Sequence, residues 1–254
     1  MKAVILAGGL GKRISEETKT KPKPMIKIGD MPIIWHIMKM YSSFGINDFI
    51  ICCGYKSHIL KQFFLELLLS EYDHDLINKN LIKIQATISE PWNVTLVDTG
   101  LDYMTGGRLK KIQKFLGSET FCFTYGDTLN DVNIKDLIEF HKINKTLATV
   151  TSCIPPEKYG ILHLKDNKVV AFQEKPENKK DWVNGGFFVL EPQIFSLIEN
   201  DSTVWEKEPM NKLVDKGELS AFRHYGFYQP MDTLNDKNKL ERLWNEKNPP
   251  WKNW

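Results

Sequence analysis

The sequence predicts an α/β fold in which a mixed, mainly parallel central sheet is flanked by helices. Three observations predict it. Apolar runs of strand length recur along the first 150 or so residues, at Met1–Leu6, Asp48–Cys53, Val94–Asp98, Phe121–Tyr125 and Ala148–Cys153. Stretches with apolar residues at helical spacing alternate with them, the order that builds a parallel sheet through right-handed crossovers. Beyond residue 154 the segments become short and alternating, at Gly160–Leu164, Val169–Gln173 and Val183–Leu190, which predicts an antiparallel or mixed extension of the sheet. No linker or repeat interrupts the 254 residues, so a single domain is expected, with a first half to about residue 153 and a second from about 154.

Composition excludes several classes of function. With 42% hydrophobic and 26% charged residues the chain has an ordinary globular balance, and a formal net charge of +2 gives no overall reason to bind nucleic acid or a membrane. No apolar run approaches the ~20 residues of a membrane span, and the chain opens on a strand-like run rather than a charged n-region, so a cytoplasmic location is expected. Cys52, Cys53, Cys122 and Cys153 lie in or at the end of apolar runs without a C-x-x-C pair and read as core thiols.

The first strand empties into Gly8-Gly9-Leu10-Gly11-Lys12-Arg13. Glycines just beyond a buried strand let backbone N–H groups approach a phosphate without a Cβ in the way, and Arg13, Lys21 and Lys23 supply cations. The dinucleotide pattern G-x-G-x-x-G fails at Ile14, and a P-loop ending at Gly11-Lys12 would need glycine at Leu6 and Ser or Thr at Arg13. Glycine turns are common between strands and helices, so the glycines alone equally suit a plain turn.

Pro32 opens a helix through I-I-W-H-I-M-K-M-Y-S-S-F that Gly45 stops, and nothing near His36 pairs with it as a metal ligand, so Trp35 and His36 read as packing residues. His58–Leu69 predicts a helix with Ile59, Leu60, Phe63, Phe64, Leu67 and Leu68 on one broad face, and residues 70–92 an irregular strand or hairpin. Met104-Thr105-Gly106-Gly107-Arg108 precedes L-K-K-I-Q-K-F-L at helical spacing; it is either a plain helix start or one whose free N–H groups hold a second polar or anionic group. Gly126-Asp127 ends the strand Phe121–Tyr125 at the carboxyl edge, where a carboxylate suits a metal that bridges phosphates. Asp131 and Asn133 are available to cap the helix Ile134–Ile143, which frees Asp127. Near the C-terminus Thr233 and Asp236 form a capping box for the helix Leu234–Lys247, which leaves Asp232 as a second free carboxylate.

Joined, L-A-G-G-L-G-x-R and K-P-K-P-M resemble the signature of the sugar-nucleotide pyrophosphorylases, nucleotidyltransferases that join an NTP to a sugar 1-phosphate. W-H-I-M-K-M-Y, D-F-I-I-C-C-G-Y-K, F-T-Y-G-D, F-Q-E-K-P, N-G-G-F-F-V-L and G-F-Y-Q-P-M-D-T carry the resemblance over nearly the whole chain. E-P-W-N-V-T-L-V-D-T-G and M-T-G-G-R resemble its cytidylyl branch, the glucose-1-phosphate cytidylyltransferases. The resemblance implies a Rossmann-like, GT-A-like fold that often forms homo-oligomers, Mg²⁺ as cofactor, and CTP with a sugar 1-phosphate, first of all α-D-glucose 1-phosphate, as substrates for CDP-glucose. It implies that Leu6, Ala7, Gly8, Gly9, Leu10, Gly11 and Lys12 wrap the nucleotide, with Arg13 and Lys23 as the catalytic cations. Thr105, Gly106 and Arg108 would meet the base, and Asp127 the nucleotide and, with Asp232, the metal. Tyr125, Gly160, Glu174, Lys175, Asn184 and Gly185 would meet the sugar phosphate.

Two positions depart from the family pattern: Lys12 replaces a small Thr, and Thr128 replaces a second Gly after the Asp. Thr128 puts a Cβ beside the metal site and leaves another phosphorylated acceptor open. A thymidylyl- or uridylyltransferase and a non-catalytic, nucleotide-sugar-binding paralogue are the rival readings. The paralogue predicts loss of Lys23 or the metal carboxylates, and Lys23, Asp127 and Asp232 are all present.

Overall fold

The computed structural model describes residues 1–68, 79–84, 90–155, 161–165, 168–173 and 182–254. The chain opens with β1 (Lys2–Ala7), a short helix α1 (Ser15–Thr18) and the small pair β2 (Lys27–Ile28) and β3 (Met31–Pro32). Then come α2 (Ile33–Ser43), β4 (Asp48–Cys53), α3 (Ser57–Leu68), β5 (Leu81–Ile84), β6 (Asn93–Asp98) and α4 (Thr105–Lys111). The middle holds β7 (Phe121–Tyr125), β8 (Thr128–Asn130), α5 (Ile134–Asn144), β9 (Ala148–Cys153), β10 (Ile161–Lys165) and β11 (Lys168–Gln173). The last stretch holds β12 (Val183–Leu190), α6 (Glu208–Asp215), β13 (Leu219–His224), β14 (Tyr228–Pro230) and α7 (Leu234–Asn245).

Among the described residues, eight strands form one sheet in the order β13-β9-β12-β7-β1-β4-β6-β5. Only β12 and β5 run against the others, which gives the mixed, mainly parallel sheet that the alternating runs predict. Both faces are covered, and the pleat of β1 shows how: Ala3, Ile5 and Ala7 enter one apolar layer, Val4 and Leu6 the other. The first layer packs against α2, α3 and α7, the second against α4, α6 and the turn of 3₁₀ helix at Pro192–Leu197.

Local chemistry sets the helix ends where the sequence placed them. Asn133 Oδ1 accepts from the N–H groups of Lys135 and Asp136 at 3.0 and 3.3 Å, and the Thr233–Asp236 capping box is formed. All four cysteines are free and buried, as expected, and burial pushes the Cys53, Cys122 and Cys153 thiols up to about 12.

One expectation changes, and two segments show where the sequence is silent or only partly described. The segments after residue 154 do not simply extend the sheet: β12 inserts between β7 and β9, while among the described residues β10 and β11 pair only with each other. The edge strand β13 and helix α6 carry no expectation at all: both are short, and the apolar Met210, Leu213 and Val214 of α6 repeat over too few turns to single it out. The irregular stretch expected over residues 70–92 supplies the strand β5, and residues 70–78 and 85–89 lie outside the described residues. Among the described residues no helix is long and apolar enough to cross a membrane.

Candidate active site

Three chain segments at the carboxyl edge of the sheet enclose a cavity of about 560 Å³, within the size range of small-molecule sites. Leu6–Arg13 after β1 form one wall, Leu101–Thr105 with Arg108 after β6 a second, and Tyr125–Asp127 after β7 the third, with Lys23 and Pro24 between them. The loop expected to wrap phosphates is therefore at the cavity. Among the described residues no intramolecular acceptor takes the N–H groups of Gly9, Leu10 or Gly11, so these donors are available to an anion.

Lys23 is the centre of the site's electrostatics. Its side chain is 9% exposed, and Nζ donates to Asp127 Oδ2 at 2.7 Å and to Asp232 Oδ1 at 2.8 Å. Burial alone would lower the ammonium, but the two carboxylates outweigh it and hold Lys23 above the ordinary lysine range. Arg13 Nη1 closes the cluster with a 2.7 Å contact to Asp232 Oδ2. Lys21, expected as a third cation, turns away to Glu17 at 3.2 Å.

The two aspartates lie 105 positions apart (232 − 127) and meet because β8 pairs antiparallel with β14, Thr128 opposite Pro230, while Met231 N donates to Asp127 O at 2.9 Å. This pairing also accounts for Thr128. Its side chain is buried in β8 and its hydroxyl donates to Asp127 Oδ1 at 3.2 Å, so it orients the carboxylate rather than crowding it. Lys12, the other departure, is exposed on the cavity rim.

Most donors at the start of α4 are satisfied within the protein. Gly106 N and Gly107 N both donate to Thr203 O, at 3.0 and 3.2 Å, and Met104 N donates to Asp201 O at 3.0 Å, so these three donors are already taken within the protein. A Cβ on Gly107 would stand 2.2 Å from Asp201 O; these glycines permit close packing of residues 201–203 on the helix. Gly106 accordingly is not among the residues lining the cavity.

Arg108 lines the cavity but is held from behind. Nη1 donates to Thr99 Oγ1 at 2.6 Å and Gly100 O at 2.7 Å, and Nη2 to Leu101 O at 3.1 Å. It lies so close under the loop that a Cβ on Gly8 would stand 2.2 Å from Nη1. These contacts make Arg108 a support of the β6–α4 loop and of Gly8 while it lines the cavity. That loop brings Leu101, Tyr103 and Met104 to the cavity, residues the sequence did not single out as ligand contacts.

Tyr125 lines the cavity and its hydroxyl donates to Glu206. Burial, then the Glu206 charge, pushes its phenol far above the ordinary range. Thr105 Oγ1 donates to the same carboxylate at 2.7 Å and accepts from Trp205 N at 2.9 Å. Glu206 sits in W-E-K-E-P, without period or motif, and no sequence signal marks it. Asn184 and Gly185 open β12 beside Tyr125 but are not among the lining residues; Gly160, Glu174 and Lys175 lie outside the described residues.

Comparison with known proteins shows the family to which a chain of this fold belongs. The family profile described as Nucleotidyl transferase matches residues 2–227. A glucose-1-phosphate cytidylyltransferase of Salmonella typhimurium is 53% identical over 256 aligned positions that span the whole of both chains. A probable glucose-1-phosphate cytidylyltransferase of Bacillus subtilis is 39% identical over 258, again end to end. Among solved structures, a UDP-glucose pyrophosphorylase complexed with UDP-glucose superposes with a TM-score of 0.71 at 17% identity, covering 97% of this chain and 98% of the other. A putative glucose-1-phosphate thymidylyltransferase from Bacillus anthracis gives 0.69 at 20% identity, with 96% and 94% covered, and these two establish the shared fold. With its profile match over most of its length and its end-to-end relatives, the chain belongs to the nucleotidyl transferase family.

Proposed function

We propose that the protein joins CTP to α-D-glucose 1-phosphate, giving CDP-glucose and pyrophosphate. The observation that carries this assignment is the end-to-end similarity to glucose-1-phosphate cytidylyltransferases, and the site has the chemistry the reaction needs. A sugar-phosphate oxygen attacks the α-phosphorus in line and pyrophosphate leaves, so no protein nucleophile is required. Positioning and charge neutralisation are the protein's contribution.

The free N–H groups of the glycine loop receive the triphosphate, and Arg13 and Lys23 meet the charge that builds on the α-phosphate and the leaving pyrophosphate. Asp127 and Asp232 are the residues that would hold Mg²⁺. Their fit rests on two facts: both already converge on one cation, the Lys23 ammonium, and Mg²⁺ is commonly bound by one or two carboxylates with water and substrate phosphates completing its shell. Among the described residues there is no cluster of three or more acidic, His or Cys groups, which suits a metal that arrives with a nucleotide rather than one caged by protein. Bound there, the ion would supply positive charge to the substrate phosphates.

Tyr125 and Asn184 belong in this reading to the acceptor pocket, with Glu174, Lys175, Gly160 and Gly185. Self-association and a cytoplasmic location complete it, and sedimentation of the purified protein tests the first. The reaction itself is tested by pyrophosphate release over CTP, UTP, dTTP, ATP and GTP against a panel of phosphorylated acceptors. Release with CTP and glucose 1-phosphate is expected. Release only with another acceptor would replace the glucose assignment, and no release with any pair would favour a non-catalytic binding protein.

A further inference from the structure

Glu206 is outside every motif and is not among the residues that line the cavity, yet it touches two of the cavity's walls. Oε2 accepts from Thr105 at the start of α4, at 2.7 Å, and Oε1 accepts from the Tyr125 hydroxyl at the end of β7, two residues before Asp127. The segment that carries Glu206 is firmly seated. Trp205 is fully buried, edge-on to Phe123 and Phe188, and residues 201–203 accept the N–H groups of Met104, Gly106 and Gly107.

The chemistry of these partners fixes directions. A carboxylate only accepts, and a hydroxyl has one hydrogen. The Tyr125 hydrogen is therefore committed to Glu206, and the phenol oxygen has only lone pairs left to present elsewhere. On the far side of the ring stands the start of β12: a Cβ on Gly186 would come within 2.9 Å of Tyr125 Cδ2. Asn184, whose Oδ1 is taken by Gly186 N at 2.8 Å, lies beside the same hydroxyl.

We infer that Glu206 is a positioning residue for the phosphorylated acceptor: by holding the Tyr125 hydrogen it makes Tyr125 an acceptor-only contact, which selects a sugar phosphate that offers it a hydroxyl donor. This rests on the placement of Tyr125 in the acceptor pocket proposed above. Fluorine cannot donate, so at the ring position that meets Tyr125 a fluoro substituent should be rejected as strongly as a missing hydroxyl. In Glu206→Gln the new amide can donate to the phenol oxygen, and the Tyr125 hydrogen is released toward the ligand.

The test is steady-state kinetics of wild type, Glu206→Gln and Tyr125→Phe with α-D-glucose 1-phosphate and its monodeoxy and deoxyfluoro analogues, with thermal unfolding run on each protein. Glu206→Gln should raise the acceptor KM about 10-fold while the CTP KM stays within about 2-fold. At one ring position wild type should reject the fluoro and deoxy analogues alike, the fluoro penalty should shrink in Glu206→Gln, and Tyr125→Phe should lose the preference for hydroxyl there. An unchanged acceptor KM in Glu206→Gln, or equal rises in both KM values, would overturn the inference. So would a wild type that accepts the fluoro analogue as well as the parent at every position, a comparison that needs no variant to fold. If pyrophosphate release shows a different acceptor, the glucose assignment falls, and the KM split measured with that acceptor decides the role of Glu206.

Discussion

Lys23 and Arg13 carry the same charge and touch the same aspartate, but their surroundings give them different weights. Arg13 has a side chain 73% exposed, and an ion pair in that setting contributes about 0–1 kcal/mol to stability. Lys23, 9% exposed, separates two carboxylates. Removing it leaves them facing each other, at a cost of about 1–3 kcal/mol after allowance for their partial exposure. Both Arg13→Ala and Lys23→Ala should lower turnover by about 10²-fold or more, through lost stabilisation of transition-state charge. Chemical denaturation should find Lys23→Ala alone destabilised; a variant of either residue with near-normal turnover would remove that residue from the reaction. Asp127→Asn and Asp232→Asn should each raise the Mg²⁺ concentration needed for half-maximal rate, and EDTA should silence the wild type. A variant whose metal response matches wild type takes that aspartate out of the metal site.

At the scale of elements, the site depends on how loops are braced from outside the cavity. The N-terminus of α4 is closed by residues 201–203, so Gly107→Ala should force backbone apart and cost about 1–3 kcal/mol in unfolding, because the added Cβ meets a carbonyl oxygen and not a flexible side chain. A Gly107→Ala protein as stable as wild type would mean that this close approach is absent in solution. The same element shows what the sequence can and cannot express. The phosphate loop, the Asn133 cap and the Thr233–Asp236 box are legible because the interacting groups are a few residues apart. Asp232 is singled out by elimination, once Asp236 has taken the cap, and by the resemblance that G-F-Y-Q-P-M-D-T carries. What the glycines of α4 are for is not legible, since a glycine that leaves room for ligand and one that leaves room for residues 201–203 look identical in a string. Glu206 and the Lys23 bridge depend on contacts 81 to 209 residues apart in sequence, which no local pattern encodes.

Over the whole molecule, the C-terminal segment is tied back to the first half of the chain through a buried histidine. His36 Nε2 lies 2.9 Å from Ile28 O, so it carries the hydrogen, and Nδ1 accepts from Trp251 Nε1 at 3.4 Å; Trp35, Trp244 and Trp254 pack around the ring. Burial lowers its pKa to about 4. The unfolded chain, with histidine near ~6.5, binds the extra proton first, so this contribution to stability is intact above ~6.5 and is lost as pH falls toward 4, by up to about 3 kcal/mol. Urea midpoints measured at several pH values should fall across that window in wild type and fall less steeply in His36→Asn; equal slopes would contradict a neutral buried His36. The central claim concerns what the assembled site selects. Cytosine offers an N4 amino donor where uracil offers a carbonyl, and a site that satisfies the donor leaves a buried group unpaired with the wrong base. The most direct measurement mixes equal CTP and UTP with saturating α-D-glucose 1-phosphate and Mg²⁺ and separates the products by mass. CDP-glucose should exceed UDP-glucose by about 10²-fold or more, whereas comparable amounts of the two, or no nucleotide sugar at all, would contradict it.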